Sequence, residues 1–183
     1  MAAQSPGIPH ARHGGNPFLK AVGAISTLAG WTAAAMIVAA VAITCQMIFI
    51  RFVLNGSTIW QTEMVVYLMI AATLIGLPYV QHLRGHVNVD LVPMALPMAA
   101  RRALAFVTLT AGAAIIAVML WYGFEFWLFA WERGWKSDTV WGVPLWKAYL
   151  SLPVGLALML LQLIADIVAL ALRIETPFGL DDA

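Results

Sequence analysis

The longest uncharged segment of the chain, residues 22–50, constrains the fold more than any other feature. It lies between Lys20 and Arg51 and contains no charged side chain. At about 1.5 Å per residue, a helix of this length reaches about 43 Å, whereas the hydrocarbon layer of a bilayer is roughly 30 Å thick. The apolar core of a secretory signal is shorter, about 7–15 residues. The segment therefore predicts an uncleaved first transmembrane helix that tilts or extends beyond the lipid.

Three further apolar segments have membrane length, at about residues 60–81, 103–126 and 145–172. The chain is 62% hydrophobic and 10% charged, whereas about 25% of the residues in a soluble domain are charged. These features predict an all-α integral membrane protein with four transmembrane helices in one domain, residues 20–173. We expect flexible tails at residues 1–19 and 174–183. The net charge of +1 gives no basis for a nucleic-acid partner.

Tryptophan is concentrated between the third and fourth apolar segments. Six of the eight tryptophans lie within residues 121–146, interleaved with charged side chains. Tryptophan favours the boundary between water and lipid because its apolar body carries a polar N–H. We expect these residues to extend the third helix and to form an aromatic-rich outer loop along the membrane surface. Both an ordinary aromatic belt and a docking surface for a partner protein are consistent with this pattern.

Glu63, near the start of the second span, has two interpretations. In the first, Ser57 or Thr58 caps the helix and the carboxylate is stabilised by the positive end of the helix dipole. In the second, Glu63 forms an ion pair with Arg51 or with a partner subunit. The sequence favours neither.

The fourth span carries a polar stripe that ends in a carboxylate. Its members are spaced so that they share one face of a helix: Ser151, Gly155, Met159, Gln162, Asp166 and Arg173. An acidic side chain in a span is expected to face protein or water and not lipid. Asp166 lies near the helix end, which favours contact with the interface over a role in transport.

The basic residues beside the spans predict the orientation of the chain, because they accumulate on the cytoplasmic side. One side would hold Arg12, Lys20, Arg84, Arg101, Arg102 and Arg173. The opposite side would hold Arg51, Arg133, Lys136 and Lys147. The excess on the first side predicts that both termini are cytoplasmic and that the tryptophan-rich loop lies outside.

A polar segment follows the second span and completes a set of ordered motifs. The motif residues of this span and segment are Trp60, Glu63, Gly76, Arg84, Gly85, His86, Val89 and Asp90. Those that open the last span include Pro144, Trp146 and Pro153. Considered alone, Arg84 and Asp90 would pair across a turn permitted by Gly85. For His86, a structural turn is favoured over proton transfer.

Taken together and in order, these motifs resemble the DctQ-like family, the small membrane subunit of TRAP transporters. The resemblance covers roughly residues 20–172. It implies a four-helix subunit of the bacterial inner membrane that binds a large permease subunit (DctM-like), which carries the substrate and sodium sites. A periplasmic binding protein (DctP-like) would deliver an organic acid, often a carboxylate.

The resemblance also implies roles for the motif residues and for the loop. The small subunit would brace the fixed part of the large one, without enzymatic activity and without a cofactor. The residues that would then serve internal packing and the subunit interface are Trp60, Glu63, Gly76, Arg84, Gly85, His86, Asp90, Pro144, Trp146, Pro153 and Asp166. The outer loop would contact the large subunit or the binding protein, and lipid would cover the remaining surface.

Two other classes of membrane protein are alternatives. A small autonomous exporter requires a carboxylate deep in the membrane, but Glu63 and Asp166 both lie near span ends. A haem or quinone subunit requires histidines that face each other within the apolar spans. The four histidines, His10, His13, His82 and His86, lie in the tail or at a helix end.

Overall fold

The computed structural model describes residues 16–83, 97–172 and 174. It contains five helices in this part of the chain: α1 (Pro17–Phe52), α2 (Trp60–His82), α3 (Met98–Glu132), the short α4 (Leu145–Tyr149) and α5 (Ser151–Ala171). Four helical segments are long and apolar enough to cross a membrane, the last being α4 and α5 together. The prediction of an all-α protein with four transmembrane helices is confirmed.

The N-termini of α1 and α2 differ in how they are capped. The side chain of Asn16 accepts a hydrogen bond from the Phe18 N–H at 3.0 Å, and proline occupies the first helical position, an arrangement typical of helix starts. In contrast, α2 begins after Ile59, and no side chain caps it. The expectation that Ser57 or Thr58 caps α2 is therefore wrong, because the chain is already helical at Ile59.

The helices pack in the spatial order α1, α2, α5, α3, with a smaller contact between α1 and α5. Helix α5 is central and contributes the largest share of buried residues, among them Leu156, Leu163 and Ala165. Near the start of α1, Leu19 and Val22 pack against Ala165 and Ala169 of α5. Because α1 begins where α5 ends, these two helices run in opposite directions.

Close helix contacts depend on small residues. A Cβ atom added to Gly155 of α5 would lie 2.6 Å from the carbonyl oxygen of Leu74 in α2. A Cβ atom at Gly30 of α1 would overlap the ring of Tyr79 in α2. Since helices in lipid associate through packing and hydrogen bonds, such residues let their backbones approach. Glycines of α5 and α1 therefore allow both of these helices to pack closely against α2.

Candidate functional site

A polar network joins three helices near one end of the bundle. It consists of Ser26 of α1, Gln81 of α2, and Gln162 and Asp166 of α5. The Ser26 hydroxyl donates to Oε1 of Gln162 at 2.7 Å, and Nε2 of Gln162 donates to Oδ1 of Asp166 at 2.8 Å. Nε2 of Gln81 donates to the other carboxylate oxygen, Oδ2, at 2.8 Å. Asp166 therefore accepts one hydrogen bond from its own helix and one from α2.

The polar network lies where α1 begins and where α2 and α5 end. Ser26 and Gln162 are buried, and Asp166 is partly buried. Interhelical hydrogen bonds help to hold helices together in lipid, where apolar burial supplies no driving force between them. The arrangement is suited to fixing the relative positions of α1, α2 and α5.

At the opposite end of the bundle, the Glu63 cluster attaches the outer loop, residues 133–144 between α3 and α4, to α2. It consists of Glu63, Tyr67 and Thr139. Oε1 of Glu63 accepts a hydrogen bond from the Tyr67 hydroxyl one turn along the helix. Oε2 accepts one from the Thr139 hydroxyl of the loop at 2.5 Å. Within the described residues, no ion pair joins Glu63 to Arg51. The carboxylate instead accepts hydrogen bonds from hydroxyl groups of its own chain.

The outer loop begins with a defined helix end. Gly134 has a φ of +60°, and its N–H donates to the Trp131 carbonyl at 3.1 Å. The Trp135 N–H donates to the Ala130 carbonyl at 3.1 Å. This is the Schellman pattern, which satisfies the last carbonyl groups of a helix. Trp135 also packs edge-on against Phe129, with 5.3 Å between ring centroids.

The rest of the loop folds back on itself. The Ser137 N–H donates to the Val143 carbonyl at 2.9 Å, and the Leu145 N–H donates to the Trp135 carbonyl at the same distance. Gly142, with a φ of +59°, forms the return of the chain. These hydrogen bonds give residues 133–144 a defined shape, which positions Thr139 for its contact with Glu63.

The tryptophans of this region pack against one another. Nε1 of Trp127 donates to the Trp146 carbonyl at 3.0 Å, and the rings of Trp131 and Trp146 lie 4.4 Å apart. The rings of Trp60 and Trp141 lie 6.1 Å apart, linking the loop to the start of α2. Aromatic pairs at such separations contribute beyond their buried area. These tryptophans therefore join α2, α3, α4 and the loop.

The remaining predicted site residues are dispersed. Gly76 of α2 faces Ala33 of α1, with 3.3 Å between a Cβ atom added there and the alanine Cβ. Pro144 precedes α4, and Pro153 is buried in α5. Four predicted site residues lie outside the described residues: Arg84, Gly85, His86 and Asp90. In the described part of the chain, no group of three histidine, cysteine or acidic residues could hold a metal ion.

Five members of these two clusters were not predicted from the sequence as site residues: Ser26, Gln81, Gln162, Tyr67 and Thr139. One available signal was a polar side chain within or beside an apolar span, since such a group needs a hydrogen-bond partner. That signal applies to Ser26 and Gln81. For Thr139 the sequence holds no comparable signal, because hydroxyl residues are common in loops.

Four membrane-length helices, with their hydrogen-bonded clusters near the ends of the bundle, define a multi-pass helical membrane protein. A family model described as the DctQ component of tripartite ATP-independent periplasmic transporters matches residues 40–173. The chain therefore belongs to this family and is a TRAP transporter small membrane subunit, as its motifs suggest. No match is found among curated proteins. Membership of the family implies association with the other components of such a transporter.

Proposed function

We propose that this subunit braces the large permease subunit while that subunit performs sodium-coupled uptake of an organic acid. The distribution of charge supports this proposal most directly. The central stretches of the spans carry no charged side chain: residues 21–50, 64–81, 103–124 and 148–165. Transport sites near the middle of a membrane usually contain charged groups or interrupted helices. The substrate and sodium sites then belong to the large subunit.

The exposed apolar faces of α1 and α3 support a subunit that is completed by a partner. On α3, Val107, Ile115 and Val118 are each more than half exposed. On α1, Leu28 and Val38 are 65% and 69% exposed. Lipid and a second membrane subunit are the two surfaces that can cover such faces. The polar network and the glycine contacts would keep the bundle in one shape while the permease moves.

We further propose that the protein lies in the bacterial inner membrane with both termini in the cytoplasm. Lys20, Arg101 and Arg102 lie near the bundle end that holds the polar network, whereas Arg51 and Lys147 lie at the other end. The outer loop would then face the periplasm, where a binding protein delivers the substrate. The positive-inside rule supports this orientation.

Affinity purification from native membranes tests the proposal. The chain, tagged at one terminus, is extracted in mild detergent, and the proteins retained with it are identified by mass spectrometry. We expect a many-spanning permease in a stoichiometric amount. Reconstitution of the pair with the binding protein in liposomes should give organic-acid uptake that requires an inward sodium gradient.

Two results would overturn the proposal. Recovery of a monodisperse chain without a permease would contradict the bracing role. Transport by the chain alone in liposomes would instead indicate an autonomous carrier. Omission of sodium from the liposome experiment is the matched control, because it tests the coupling separately from subunit association.

A further inference from the structure

An apolar groove lies between α2 and the segment that contains α4. It has a volume of about 580 Å³ and is partly open to the surface of the bundle. Met64, Leu68 and Ala71 form its α2 side, and these residues share one helix face over about 10 Å. Trp141 and Pro144 close the end toward the outer loop. The groove thus extends from the loop toward the apolar part of the bundle.

Among the described residues that line the groove, one carries a positive charge. Lys147 is exposed, and its amine lies 5.7 Å from the centroid of the Trp146 ring. No acidic side chain of the described residues forms an ion pair with Lys147. Glu63 lies at the same end of α2, but its carboxylate oxygens accept hydrogen bonds from Tyr67 and Thr139. The lysine charge is therefore available to a ligand.

We propose that this groove binds one acyl chain of an anionic phospholipid, with the phosphate at Lys147. The combination of an apolar groove and one cation near a tryptophan-rich boundary is complementary to an anionic amphiphile. The volume lies within the range of about 300–1,000 Å³ typical of small-molecule sites. A partner helix is about 10–12 Å across with its side chains, which is wide for a groove of this volume. The proposal concerns lipid and does not depend on the transport role.

Native mass spectrometry of the full-length chain tests the proposal. The purified, delipidated protein in mild detergent is titrated with dioleoyl phosphatidylglycerol or with dioleoyl phosphatidylcholine. We expect one phosphatidylglycerol to be retained per chain at concentrations at which phosphatidylcholine is not retained. Lys147→Gln should reduce this preference about fivefold, the effect expected for one basic residue near a lipid headgroup.

Two further variants complete the design. Lys136→Gln removes an exposed lysine of the loop that does not line the groove, so the lipid preference should be unchanged. Ala71→Leu fills the groove and should weaken the binding of both lipids, with circular dichroism as the check on folding. If that variant does not fold, the comparison of the two lysine variants is sufficient to decide.

Three outcomes would overturn the proposal. The first is equal retention of the two lipids by the unmodified chain. The second is an unchanged preference in Lys147→Gln. The third is loss of the bound lipid when the chain is purified with a permease, since this would show that the groove is a protein interface.

Discussion

Gln162 connects a hydroxyl on α1 to a carboxylate on its own helix α5. Its amide accepts from Ser26 and donates to Asp166, and the side chain is only 3% exposed. An apolar side chain at this position would leave the Ser26 hydroxyl without an acceptor and would remove one donor from Asp166. Burial of an unsatisfied polar group is costly, even in a membrane where alternative partners reduce the loss.

We expect Gln162→Leu to lower the free energy of unfolding by about 1–2 kcal/mol. Unfolding in mixed micelles by titration with dodecyl sulfate measures this change. Gln46→Leu is the matched control, because Gln46 lies on α1 but is exposed. Equal effects of the two substitutions would show that the polar network does not stabilise the bundle.

The hydrogen bond between Glu63 and Thr139 directly joins α2 to the outer loop. We expect Glu63→Ala to increase trypsin cleavage after Lys136 about fivefold, since loss of one hydrogen bond of about 1 kcal/mol raises the population of the detached loop by that factor. Digestion of the protein in detergent, followed by mass spectrometry, measures the rate. Glu132→Ala is the control, because this carboxylate is exposed at the end of α3. Unchanged cleavage in Glu63→Ala would argue against the attachment.

At the scale of helices, α5 determines how the bundle assembles. It packs against both α2 and α3, and at Gly155 it lies close beside the Leu74 backbone of α2. Backbone atoms cannot move aside as a flexible side chain can. Any larger residue at position 155 must therefore separate α5 from α2.

We expect Gly155→Ala to lower the free energy of unfolding by about 1–3 kcal/mol, the usual cost of overpacking. Gly112→Ala in α3 is the control, because a Cβ atom added there has no neighbour within 4 Å and alanine is the better helix former. The same dodecyl sulfate titration compares the two. No loss of stability in Gly155→Ala, or an equal loss in the two variants, would contradict the close approach.

At the scale of the whole molecule, α3 is the helix with the least internal support. Among the four spans it packs mainly against α5, and few of its residues are buried. In contrast, α1 is joined to α2 along its length and to α5 through the polar network. Among the described residues, this helix of 35 residues packs mainly against one other span, which suits it to contact with a further subunit.

We expect a photo-crosslinking amino acid at Val118 of α3 to form a covalent adduct with the large permease subunit. The same amino acid at Val38 of α1, which is similarly exposed, is the comparison and should react mainly with lipid. Irradiation of native membranes, followed by gel electrophoresis, separates the two products. Adducts from Val38 and none from Val118 would place the subunit interface on α1.

The fold class could be predicted from sequence because its causes are local. Residues 22–50 contain no charge, and an apolar segment of that length must satisfy its own backbone hydrogen bonds in lipid, which only a helix or a closed barrel achieves. The order of the motifs around Glu63 and Trp146 likewise indicated the family. The tryptophan-rich boundary followed from the composition of residues 121–146 alone.

The partners of the polar side chains were decided only by the tertiary structure. Ser26 and Gln162 are 136 positions apart, and Glu63 and Thr139 are 76 positions apart. No periodicity within one helix specifies which helix lies beside it, because helices in lipid associate through particular packing and hydrogen bonds and not through general apolar burial. Sequence therefore determined that four helices cross the membrane, whereas the contacts at Gly155 and at the polar network determined how they are arranged.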